Sequence, residues 1–519
     1  MGDPDSGTIT GTTKLTGVLE DDVQLYRKRL EPGADVQYNP FTLRTGRQGY
    51  LILIQGMTDE LRFQSDILEP LNRMDPEQLK GWDEQNSNEK DGGSEDVFES
   101  LSQSKQLRLM NSVEESLTGL CKGETVVLLD GCAQPLMAAL HKWEQRSIEE
   151  PAAEPTIRGA RDGFTESMQT NMTLIRRRLA TPDLKVEAIS TGRVTKTDIM
   201  LVYLESIIMP GLREEARQRI SRIDIDAIVE SGCLEELICD NAFSVFPQLI
   251  NTERPDRVVT ALLEGRLAIV VDNTPFVLIA PSTFADSLHA AEDDYQNYLF
   301  ASFARLLRFF LSLCALLLPS LYISLITFHQ EMMPSDLLLG IAASREAVPF
   351  PTLVEALLME ITFEGLREAG IRLPKPVGQA VSIVGALVIG QAAVQAGIVS
   401  ATLVIIVSFT GIASFIFPIY SQGLAFRLLR FPMMLLAAVL GLYGIFLGLL
   451  LLLIHLMKLR SFGVPYFAPI MPFHPEGTLI SLLRLPKWAV KSRPVETAKR
   501  NRKRIKDHMR PHPPATPKG

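Results

Sequence analysis

Four long, nearly uncharged apolar runs between Leu306 and Met457 constrain this chain more than any other feature. They are Leu306–Phe328, Gln379–Ser400, Thr402–Gln422 and Phe431–Met457. About 20 apolar residues cross a hydrocarbon core of roughly 30 Å. A globular core helix of that length carries a polar stripe, and these runs do not. The expected fold class is an α/β two-subdomain soluble N-terminal head followed by a multi-pass α-helical membrane domain. That domain holds about four spans plus an amphipathic helix.

The amphipathic helix is expected in the loop between the first two runs. Residues 352–369 place Leu353, Leu357 and Ile361 on one face, with Glu360, Glu364, Arg367 and Glu368 on others. Such a pattern predicts a helix lying at the membrane surface. The tail carries twelve Lys or Arg from Arg484 to Gly519 against Glu496 and Asp507. By the positive-inside rule it places the C-terminus in the cytoplasm, and four crossings return the N-terminus there. Arg305 and Arg308 agree with this. Arg427 and Arg430 do not, since four spans put their loop outside.

In the first half, residues 1–48 read as a mobile N-terminal extension. Residues 49–148 form the first α/β subdomain, with Tyr50–Gln55 and Thr125–Asp130 as compact strands and a polar loop at 83–96. A helical pattern covers Leu107–Leu120. Residues 156–291 form the second subdomain. There Phe164–Leu179 reads as helix, Val186–Ser190 as strand, and Thr197–Pro210 as helix-like. Arg266–Asp272 and Pro275–Ile279 flank Asn273-Thr274 as a hairpin. No internal repeat of fixed period is visible. The membrane domain spans 305–458 and the basic cytoplasmic tail 459–519.

Several strings resemble one family, the A subunit of GerA-type nutrient germination receptors of endospore-forming bacteria. They include WEQR at Trp143–Arg146, GFTES at Gly163–Ser167 and LIRRR at Leu174–Arg178. TERPDRV at Thr252–Val258, LLEGR at Leu262–Arg266 and PFVLIAP at Pro275–Pro281 continue the match. In the second half it runs through Arg345–Glu364, Arg367–Val394, Leu429–Pro432 and LRSFGVPY at Leu459–Tyr466. Asp162 stands where the pattern expects glutamate. The resemblance implies a multi-pass subunit of the spore inner membrane. It would be a homo-oligomer working beside a transporter-like B subunit that senses the nutrient and a lipoprotein C subunit. This chain would be the part that releases cations when nutrient binds; the alternative is a scaffold or signal relay, with ions passing through another protein.

Within that frame, Gln391 and Gln395 share a helical face with Val384 and Val388, so they are the pore-lining residues expected of the second span. The plainer reading makes the amides polar glue between helices. Glu360 and Glu364, four apart, would form an acidic ring at a pore mouth, or simply a solvated face. Arg158, Arg161, Arg176, Arg177 and Arg178 form a basic cluster that fits a neighbouring subunit, or plain surface charge. Gly444 and Gly448 permit close helix contact. The polybasic Lys499–Lys506 fits anionic lipid; nucleic acid is not expected, because no aromatics interleave the basic residues. The five cysteines show no metal-ligand spacing, and no P-loop, HExxH or GxSxG occurs. No enzyme activity, cofactor or metal is expected.

Overall fold

Two helix starts in the head are held by the same threonine contact. Thr16 donates its N–H and Oγ1 to Asp22 Oδ1 (2.8 and 2.9 Å), and Val18 N–H donates to Thr16 Oγ1. Thr165 does the same to Asn171 Oδ1 (2.7 and 3.4 Å), and Ser167 N–H donates to Thr165 Oγ1. Each cap holds the entry to a helix: α1 (Leu19–Leu30) and α3 (Met168–Arg178). The structure, a computed structural model, describes residues 15–69, 72, 107–141, 150–151, 154–373, 388–506 and 509–511.

After α1 come β1 (Val36–Thr42), β2 (Gln48–Ile54), β3 (Leu107–Leu109), α2 (Val113–Cys121), β4 (Thr125–Leu129) and β5 (Leu136–Ala138). After α3 come β6 (Leu184–Thr191), β7 (Thr197–Leu204), α4 (Leu212–Ser221), α5 (Ser231–Ile238) and β8 (Ile250–Thr252). Then follow α6 (Pro255–Leu263), β9 (Leu267–Val271) and β10 (Val277–Ala280). The sheets are antiparallel, in the orders β1-β2-β4-β5-β3 and β6-β7-β9-β10-β8. The head is therefore one fold used twice. Matching turns confirm it. Gly123 (φ 93) and Gly265 (φ 85) end α2 and α6, and Gly131 (φ 78) and Asn273 (φ 66) end β4 and β9. Only glycine and asparagine take such left-handed angles cheaply.

The absence of a visible repeat is thus corrected: the copies share a few turn residues rather than a periodic sequence. Residues 19–42, expected as mobile extension, form α1 and β1. Thr197–Leu204, expected as helix-like, is the interior strand β7; it is buried on both faces, so the alternation that marks a strand is missing. Leu107–Leu109 is strand, and the helix begins after the Ser112 cap. The polar loop 83–96 lies outside the described residues.

Beyond the head run α7 (Tyr298–Thr327), α8 (Ser335–Arg345), α9 (Thr352–Arg372), α10 (Ala401–Ala413) and α11 (Tyr420–Lys458). Among the described residues, α7 and α11 are long and apolar enough to cross a membrane. The first apolar run lies within α7. The second is described only from residue 388, as helix to 395. The third is not one helix. α10 stops at Ala413, Phe417 is extended before Pro418, and α11 restarts at Tyr420. The fourth is not one straight span either, because Gly441 (φ 63, ψ −142) interrupts α11. A Cβ on Gly448 would overlap Met433 Sδ, and one on Gly444 the Leu436 carbonyl. In a straight helix Met433 and Gly448 would stand about 22 Å apart at 1.5 Å per residue. The chain therefore folds back at Gly441, and the two glycines let the limbs touch.

α9 is no surface helix. Glu355, Ala356, Met359 and Glu360 are buried, packed among α7, α10 and α11. It runs from the far end of the bundle, where Glu355 accepts from Ser400 N–H (3.1 Å), back toward the head, where Arg367 reaches Ser414 (2.8 Å). The tail also returns to the head. Thr497 and Ala498 are buried, Arg493 Nε donates to Leu263 O (2.8 Å), and Thr497 Oγ1 to Glu264 O (2.6 Å).

Candidate functional site at the head–bundle junction

The last limb ends at Lys458 and turns through a short hairpin, β11 (Arg460–Ser461) and β12 (Val464–Pro465). Phe462, at φ 47, is driven from that turn into the core of the second head copy and is 1 % exposed. The Arg219 guanidinium lies over its ring, 4.3 Å from the centroid. Ser461 Oγ donates to Gln248 O (2.5 Å) and accepts from Ser282 N–H (3.0 Å), while Phe284 N–H donates to Tyr466 O (2.7 Å). Phe246 and Phe284 of the head pack against Phe426 and Tyr466, closing an aromatic seam. At the other exit, Arg305 and Arg308 of α7 clamp Asp293. The LRSFGVPY string is therefore a plug that fixes the end of the bundle in the head.

Beside it, a cavity of about 380 Å³ is lined by α6, the loop after β10, α7 and the tail. Several of its charges are held in ion pairs. Arg266 forks onto Asp286 (2.7 and 2.8 Å) and Arg257 meets Glu154 (2.7 Å). Burial alone would raise the Asp286 carboxyl, but Arg266 beside it holds it at about 2. Burial and the neighbouring Arg305 push His289 down to about 4, so it stays neutral and bonds Ser481 O (2.8 Å).

Inside the bundle, three carboxylates of α9 each meet an arginine. Glu355 accepts from Arg345 (3.0 Å), Glu360 from Arg430 (2.5 Å), and Glu364 from Arg427 (2.7 Å) and Arg367 (3.2 Å). Arg430 also donates to the Ala315 carbonyl of α7 (2.8 Å). Glu360 and Arg430 are almost fully buried, at 4 % and 3 % of side-chain exposure. Removing one partner of such a pair costs about 3–5 kcal/mol, because the other charge is left buried and alone. The Glu360–Glu364 pair thus ties helices together within one chain instead of standing free. Arg427 and Arg430, at odds with four-span sidedness, are buried partners and not loop residues.

Val388, Gln391 and Gln395 lie on the exposed outside of the single chain; Val384 lies outside the described residues. The basic cluster splits. Arg176 is buried in the head, bidentate on Asp35 (2.8 and 2.9 Å), and so joins the two copies, which corrects its reading as a surface residue. Arg178 pairs with Asp162 (2.5 Å), while Arg158, Arg161 and Arg177 are exposed. Sequence reasoning missed Phe462, Asp35, Glu355 and Gly441. The signal available for the carboxylates was chemical: arginines set between apolar runs, such as Arg427 and Arg430, demand carboxylates somewhere.

A duplicated α/β head is thus plugged onto a bundle of apolar helices, which defines a two-part subunit whose head and bundle share one core. Residues 24–496 match the family described as Bacillus/Clostridium GerA spore germination protein, and the chain belongs to that family. It is 49% identical to spore germination protein KA of Bacillus subtilis over 405 residues, 78% of this chain and 74% of that one. Spore germination protein A1 of the same organism is 39% identical over 93% of this chain and 96% of its own. An uncharacterized membrane protein of B. subtilis, YfkQ, is 43% identical over 92% and 90%. The crystal structure of the N-terminal domain of the A subunit of the Bacillus megaterium germinant receptor GerK3 is also similar. It is 31% identical, with a TM-score of 0.40, covering 53% of this chain and 98% of that one.

Proposed function

We propose that this chain is the A subunit of a nutrient germinant receptor and its oligomeric cation-conducting part, set in the spore inner membrane. The observation that carries this reading is the outward face of Val388, Gln391 and Gln395. Two amides on the outside of an apolar bundle are costly against lipid. In a closed ring of copies they would turn inward and line a pore. The helical limbs alternate between head side and far side, so head and tail lie together, in the cytoplasm on this reading. A transporter-like B subunit would bind the nutrient, with a lipoprotein C subunit completing the complex. The exposed Lys499, Arg500, Arg502 and Lys503 would meet anionic lipid.

The test is nutrient-triggered cation flux from vesicles holding the complete receptor. Altered leak or selectivity in Val388→Ala or Gln391→Ala supports conduction through this chain. Normal flux in both removes the gate. The scaffold or relay reading would then stand, and the Phe462 plug favours it, since a plugged junction transmits movement without conducting ions.

A further inference from the structure

We infer that the loop 240–247 is a lipid anchor that seats the Phe243 ring at the headgroup boundary of the membrane leaflet nearest the head. This rests on the reading that the apolar bundle is embedded in a membrane. Phe243 is 99 % exposed, although the loop that presents it is tightly held. Asn241 N–H donates to Gln248 Oε1 (2.8 Å), Gln248 Nε2 donates to Asn241 O (2.6 Å), and Phe243 N–H donates to Asn241 Oδ1 (3.0 Å). Ser244 Oγ bonds His455 Nε2 (3.0 Å) on the last limb of α11, and Phe246 packs beneath it into the bundle core. A rigid loop is thus displaying an aromatic ring at the height where the last limb leaves the bundle.

The surroundings at that height fit lipid. The outside of the limb is apolar at Leu450, Leu451, Leu453 and Met457, each more than a third exposed, and then turns cationic at Lys458 and Arg460. That order, apolar then basic with an aromatic ring between, matches the boundary between acyl chains and phosphates. A protein partner fits less well. Stable interfaces bury about 800 Å² per side, whereas this loop offers only Phe243 and the partly exposed Val245 among Asn241, Ala242 and Ser244. A fluid lipid phase needs no complementary surface to accept one ring.

The experiment uses the full chain in phospholipid nanodiscs, with Trp82, Trp143 and Trp488 replaced by Phe and a single reporter, Phe243→Trp. Lipids brominated near the top of the acyl chain should quench most of its emission, and aqueous iodide little. Free quenching by iodide, or protection from both quenchers, would overturn the anchor; the second result would mean a protein neighbour covers the ring. A parallel chain carrying Phe446→Trp, an exposed position nearer the start of the last limb, separates the two ideas. If Trp at 446 is quenched by lipid and Trp at 243 is not, the anchor alone fails. If neither is quenched, the membrane reading fails with it.

Discussion

The two head copies share a strand order but not a source for their cores. Among the described residues, both cores of the first copy are built from residues 15–140, with α1 and α2 on one face of the sheet and Phe63 and Ile67 on the other. Those of the second copy borrow from far along the chain: Ile419 and Ala498 on one face, Phe462 on the other. Duplication has left one copy self-contained and made the other a coupling between head and bundle. The copies meet through Asp35 and Arg176 and through a short backbone seam, in which Ala34 N–H donates to Val186 O (3.0 Å) and Val186 N–H to Pro32 O (3.2 Å).

The comparison can be broken first at that seam. Arg176→Ala strands Asp35 in the interior and should cost about 3–5 kcal/mol in denaturant unfolding of the full chain. The double change Asp35→Leu with Arg176→Met should recover most of that loss. Next, Phe462→Ala should cost about 3 kcal/mol, as expected when a buried aromatic leaves a cavity. The loss should register in the second copy and the bundle.

Matched glycines sharpen the contrast further. Gly123→Ala meets the flexible Met57 Cε at 3.1 Å, so only the left-handed strain applies, about 1 kcal/mol. Gly265→Ala meets the Thr497 and Ile207 carbonyls at 2.6 and 2.9 Å, so it should cost about 1–3 kcal/mol more through overpacking against the docked tail. Equal losses would contradict the close approach of both carbonyls to Gly265.

The smallest effect is a pH dependence found only in the second copy. His289 is held at about 4 against 6.5 unfolded. Its contribution is full above pH 6.5 and is lost as pH falls toward 4, because the unfolded chain binds the proton first. The part due to His289 should be a drop of about 1 kcal/mol between pH 7 and 5.5, read as the difference between wild type and His289→Gln, because Glu235, its carboxyl pushed up to about 7 by burial, changes stability in the opposite sense over the same range in both chains.

Much of the head was legible locally. Tyr50–Gln55, Thr125–Asp130 and the Asn273-Thr274 hairpin are compact apolar runs ended by turn residues, and local chemistry decides them. β7 was not, because a strand buried on both faces loses its alternation. The bundle was harder for a different reason. Glu360 looks solvated from its neighbours in sequence, and its partner Arg430 lies on a helix two elements further along the chain. Gly441 looks like any other membrane glycine until its φ is known. What the sequence hid in the bundle was pairing at a distance and the turn at Gly441; in the head it was the strand whose alternation burial erases.

The most direct test of the coupling is hydrogen–deuterium exchange of the full chain, comparing wild type with Phe462→Ala. The account predicts faster exchange in α4, α5 and the last limb of α11, with α1 and α2 of the first copy unchanged. Unchanged exchange in α4 and α5, or an equal rise in both copies, would contradict it.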